Sequence, residues 1–170
     1  MNNFPISHKR AHEPPMPEAL AYFLTWTTYG TWLPGDERGW VQKSNGFQVP
    51  DPTLKSSVQS RLTEAPCFLS SEQRQLVEQT IHAHCLYRGW SLHAVTCRTN
   101  HVHVVVTAME HAPKVVRDQF KAWGTRRLKE HARERGATPR TKWWTEGGSQ
   151  RFIGDEESLE AVIWYVTEGQ

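Results

Sequence analysis

The chain has 170 residues, 38% of them hydrophobic and 22% charged, with a formal net charge of +2. That is enough chain for one domain with an adequate core, and no stretch approaches the ~20 apolar residues of a membrane helix. Cys67, Cys85 and Cys97 are widely spaced and form no CxxC pair. They read as buried free thiols in a reducing cytoplasm, which argues against a disulfide scaffold or a zinc ribbon.

Residues 1–19 carry Pro5, Glu13, Pro14, Pro15 and Pro17 without an apolar core, so they read as a flexible lead-in and not a signal peptide. A single domain is expected over residues 20–170. Its first strand is the aromatic, Thr-rich run from Ala21 to Thr28. Gly and Pro turn signals then recur from Gly30 to about Ser70, and this stretch reads as a long irregular insertion. Ser70 and Ser71 cap a helix with the apolar stripe Leu76, Val77, Thr80, Ile81, His84 and Cys85, stopped by Gly89. Trp90 to Cys97 is a second strand, Arg98-Thr99-Asn100 a tight turn, and His101 to Thr107 a third strand. Pro113 opens a long helix with the stripe Val116, Phe120, Trp123/Gly124, Leu128 and Ala132. Gln150 to Ile153 is a short fourth strand. Asp155 caps a last helix whose apolar face is Leu159, Val162, Ile163 and Val166. The order predicts an α+β fold: a ferredoxin-like antiparallel sheet with helices packed on one face and a long loop after the first strand.

The chemistry gathers at Asn100-His101-Val102-His103, which is followed by valines. Side chains at i and i+2 of a strand share a face, so His101 and His103 present two imidazoles side by side. Imidazole is a common ligand of divalent metals, yet two histidines on a sheet face look the same without one, and a third ligand is needed. The last helix offers Glu168, roughly 60° around the helix from Tyr165. Gln170 is a second candidate if Gly169 breaks the helix. The stretch 112–135 is basic, and with eight tryptophans in the chain it suits a polyanionic partner, on which rings could stack between phosphate contacts. A solvated helix face would account for the charge equally well.

The histidine motif resembles the HUH motif of the single-tyrosine transposases of the insertion-sequence-200 type, in particular those associated with repetitive extragenic palindromes. Tyr22 to Thr28, Trp144 to Arg151 and Ile163-Trp164-Tyr165-Val166 are similar, in order, to that family's first strand, its approach to the tyrosine helix and the helix itself. The resemblance implies a ferredoxin-like domain, usually a homodimer, acting on hairpin-bearing single-stranded DNA in the cytoplasm of a prokaryote. It implies Tyr165 as nucleophile, forming a covalent 5′-phosphotyrosine link, and Mg²⁺ or Mn²⁺ held by His101, His103 and a third residue. The family places Gln or Asn four residues after the tyrosine; here Gly169 stands there, so Glu168 or Gln170 must substitute. DNA would be gripped by Arg117, Lys121, Arg126, Arg127, Lys142 and Arg151, with Trp143 or Trp144 stacking on bases. Two other readings stay open. One is a domesticated DNA-binding relative without catalysis. The other is a metal-dependent phosphodiesterase or RNA-binding protein without covalent tyrosine chemistry.

Overall fold

The computed structural model describes residues 19–169. The lead-in therefore lies outside the described residues except for Ala19. The elements in chain order are β1 (Ala21–Thr27), β2 (Trp40–Gln42), β3 (Gly46–Gln48), α1 (Pro52–Gln59), α2 (Ser71–Arg88), β4 (Ser91–Cys97), β5 (His101–Thr107), α3 (Pro113–Glu134), β6 (Ser149–Ile153) and α4 (Glu156–Thr167). The main sheet has the order β4-β5-β1-β6, with every neighbouring pair antiparallel.

Local chemistry sets the long helices where the sequence indicates. Ser70 accepts from Gln73 N while the Gln73 side chain accepts from Ser70 N, a reciprocal capping box, and Gly89 closes α2 in the left-handed region. Pro113 sits in the first turn of α3, and Asp155 accepts from Ser158 N at the start of α4.

The two faces of the sheet are buried differently. Tyr22, Leu24, Trp26, Val102, Val104 and Val106 point to one face and pack against Val77 and Ile81 of α2 and Phe120 and Leu128 of α3. Ala21, Ala94, Val105 and Ile153 point to the other and are covered by Val162 and Val166 of α4. The sheet and its helical layer are as expected, but α4 leaves that layer and crosses to the opposite face. The valine run explains why. Val104, Val105 and Val106 are all fully buried, and a strand buried on both sides needs cover on both sides.

The insertion also departs from expectation. It holds the β2–β3 hairpin and α1, and its turn is organised around Asp36. That buried carboxylate pairs with Arg38 at 2.6 Å and Lys55 at 3.2 Å. The Arg38 hydrogen bond holds the Asp36 carboxyl well below the usual carboxylate range.

Candidate active site

Antiparallel register builds the site as rows across the sheet. Thr25 lies opposite His103 and Thr27 opposite His101, while on the flanking strands Ser149 lies opposite Thr25 and Thr96 opposite His103. Residues paired this way share a face. The face in question is the one that α4 covers.

His101 and His103 stand edge to face, with ring centroids 4.7 Å apart. His103 is buried, and its Nδ1 lies 2.8 Å from Thr25 Oγ1. Burial, with His101 and Arg98 nearby, lowers its pKa to about 4, so the ring is neutral at pH 7. His101 Nδ1 lies 2.8 Å from Asn100 Oδ1.

Tyr165 reaches this pair from α4 of the same chain. Its ring centroid is 5.9 Å from that of His103 and 6.3 Å from that of Phe23, both edge to face. Phe23 in turn stacks on His103 at 5.5 Å. Two contacts set the height of α4: the packing of Val162 and Val166, and a 2.7 Å hydrogen bond donated by Thr96 Oγ1 to the Val166 carbonyl. Tyr165 remains 44% exposed despite these ring contacts.

The third metal ligand is not gathered in the same way. Among the described residues no three His, Cys, Asp or Glu side chains converge as a metal-holding group, so Glu168 does not join the histidines here. It caps α4 and is exposed. Gln170 lies outside the described residues. Gly169 donates to the Trp164 and Tyr165 carbonyls, and a Cβ on it would sit 3.0 Å from Tyr165 Cα, a tight contact that a shift of a few tenths of an ångström would relieve. The two imidazoles nevertheless fit a divalent cation: they share a face, His103 is neutral, and each Nδ1 has an oxygen partner.

The basic residues divide by burial. Arg117 is buried and donates to Gly148 O at 2.8 Å. Lys121 donates to Thr145 O at 2.7 Å and Gly147 O at 2.9 Å. Both tie α3 to the segment leading into β6 through its backbone carbonyls, whereas the sequence suggested them as phosphate contacts. Trp144 is likewise structural, donating to Lys121 O at 3.1 Å and Thr125 Oγ1 at 3.0 Å, and Trp143 is buried. Arg126 and Arg127 are exposed on α3 and share Glu130, and Lys142 lies over the Tyr29 ring. Arg151, opposite Phe23 in the register, is exposed on the histidine face.

Sequence reasoning missed Phe23, Thr25, Thr96 and Trp164. The first three share the histidine face, and the period-2 alternation of β1 was the available signal for Phe23 and Thr25. Trp164, beside Tyr165, is 64% exposed.

No protein-family model and no curated protein matches the chain. Among solved structures, a REP-associated tyrosine transposase bound to a REP hairpin superposes with a TM-score of 0.50 and 13% sequence identity, covering 95% of this chain and 70% of that chain. The chain has the fold of that tyrosine transposase. A candidate transposase from Deinococcus radiodurans R1 superposes with a TM-score of 0.44 and 13% identity, covering 95% of each chain. Within this fold the histidine pair and Tyr165 occupy one face, and no helix among the described residues is long and apolar enough to cross a membrane.

Proposed function

We propose that this protein is a single-tyrosine HUH transposase that cleaves and rejoins hairpin-bearing single-stranded DNA. The observation that carries the proposal is the placement of Tyr165, from the terminal helix, 5.9 Å in ring-centroid distance from His103 of the histidine motif. The fold shared with a tyrosine transposase supports it.

Tyr165 supplies the nucleophile. Its phenol oxygen bonds to the scissile phosphorus, the P–O3′ bond breaks, and the proton released by the phenol is balanced by the one taken up by the departing oxygen, which leaves as a 3′-hydroxyl. The 5′ end is then held as a phosphotyrosine ester. Attack by an incoming 3′-hydroxyl reverses the step, so strands rejoin without a nucleotide cofactor. An ordinary phenol is a weak nucleophile at neutral pH and needs a favourable field. His101 and His103 would hold Mg²⁺ or Mn²⁺, which when bound polarises the phosphate and offsets the charge developing on it. Phe23 and Thr96 keep the tyrosine helix in register with the pair. Arg151 supplies a phosphate contact on this face, and Trp164 a stacking surface beside the nucleophile.

The test is to incubate the protein with hairpin single-stranded DNA and Mn²⁺ and look for an adduct that survives denaturation. Wild type forms it, while Tyr165→Phe and His103→Ala do not. Absence of a wild-type adduct on REP-like hairpins, with binding retained, would instead favour a non-catalytic DNA-binding protein. Cleavage that survives Tyr165→Phe would favour a phosphodiesterase.

A further inference from the structure

We propose that Asn100 and Thr25 are positioning residues for a cation at the histidine pair, Asn100 by fixing the tautomer of His101 and Thr25 by fixing the ring plane of His103. The inference rests on the metal reading of the pair given above and assigns roles to two side chains outside that pair.

A carboxamide oxygen only accepts hydrogen bonds. Asn100 Oδ1, 2.8 Å from His101 Nδ1, therefore requires the proton on Nδ1. A neutral imidazole protonated there carries its lone pair on Nε2, the atom that would ligate a metal. The asparagine is itself held in place. Its backbone carbonyl accepts from Thr28 N at 2.8 Å and from Thr28 Oγ1 at 3.2 Å, which clamps the turn before β5 to the end of β1. The side-chain oxygen thus approaches the ring from a fixed base.

Thr25 acts on the other histidine. It lies directly opposite His103 in the β1–β5 register, with Oγ1 2.8 Å from Nδ1. A hydroxyl can donate or accept, so this contact sets the orientation of the ring and leaves the tautomer to the ligand. The backbone of Gly148 runs close to that of Thr25, where an added Cβ would lie 2.6 Å from Thr25 O. Outer partners of metal-bound histidines contribute about 10–100-fold to metal affinity.

Two readouts test the assignment. Nitrogen-15 imidazole spectra of the metal-free protein report the tautomer, and calorimetric titration with Mn²⁺ reports affinity. Wild type shows His101 as the Nδ1–H form. Asn100→Asp, which offers only acceptor oxygens, keeps that form and binds Mn²⁺ at least as well. Asn100→Ala shifts His101 toward Nε2–H and weakens Mn²⁺ by about 10–100-fold, with an unchanged circular dichroism spectrum. Thr25→Ser binds like wild type, and Thr25→Val binds about tenfold more weakly.

Wild-type tautomer and affinity in Asn100→Ala would overturn the role of Asn100, as would loss of the Nδ1–H form in Asn100→Asp. Wild-type affinity in Thr25→Val would overturn the role of Thr25. If wild type binds no Mn²⁺, or if His101→Ala binds as tightly, the metal reading itself fails. The tautomer of the metal-free protein still decides Asn100 in that case, because an Nε2–H His101 in wild type contradicts it.

Discussion

Gly148 shows how closely single residues constrain this site. Its φ is +137°, and a side chain there would collide with Thr25 O and crowd Arg117 Cδ and Trp26 Cβ, each 3.0 Å from the added atom. Only glycine fits both the backbone conformation and the space. Gly148→Ala is expected to lose about 2–3 kcal/mol in urea unfolding, the sum of strain and overpacking. Unchanged stability would mean that β6 can shift away from Thr25. Arg117 belongs to the same knot, since it donates to the Gly148 carbonyl. Its burial had a sequence signal. It follows Val116 on the arc that carries Pro113, Phe120, Gly124 and Leu128, all buried. A charge inside an apolar arc points to an internal partner more often than to a ligand.

Among the elements, the insertion carries a pH dependence whose sign follows from Asp36. Its carboxyl is held below the ordinary value of 3.8 by the Arg38 hydrogen bond. A depressed carboxylate contributes stability that is present above the unfolded pKa and lost as pH falls toward the folded one. The stability difference between wild type and Asp36→Asn should therefore be constant from pH 8 to about 4 and shrink below it. A difference that persists undiminished at pH 3 would rule this out. The insertion also marks where the sequence stops being legible. α2, α3, α4 and β1 bury one side, so their periods of 3.6 and 2 can be read, while β5 is legible as an unbroken apolar run. α1 has no buried residue, and Val41 and Phe47 on the hairpin are exposed, so neither leaves a periodic trace. For α4 the stripe of Leu159, Val162, Ile163 and Val166 indicates that the helix packs but not on which face. The unbroken Val104-Val105-Val106 run held that information, because a strand covered on one side alternates.

On the scale of the whole molecule, both halves of the candidate site belong to one chain. α4 follows β6 directly, crosses the face opposite α2 and α3, and lies on its own sheet through Val105, Ala94 and Ile153. The histidine pair was legible as a motif, and Tyr165 as part of a resemblance. Their meeting depended on α4 taking the other face, which the stripe of α4 itself does not specify and only the doubly buried valine run of β5 indicates. This placement predicts that a mixture of Tyr165→Phe and His103→Ala proteins forms no covalent DNA adduct, because each chain lacks one half. Adduct formation by the mixture would show that the tyrosine helix serves a partner copy.

The chain has four tyrosines, Tyr22, Tyr29, Tyr87 and Tyr165. Tyr22 is buried and donates to the His111 carbonyl, and Tyr87 stands exposed beside His84 on the far side of the sheet. Of these tyrosines, Tyr165 is the one recorded in ring contact with the histidine pair. The most direct measurement is therefore to digest the protein–DNA adduct and identify the DNA-linked peptide by mass spectrometry. The peptide containing Tyr165, modified on the phenol oxygen, is the predicted result. Linkage at Tyr22, Tyr29 or Tyr87, or a wild-type protein that cuts hairpin DNA without any covalent link, would contradict the account.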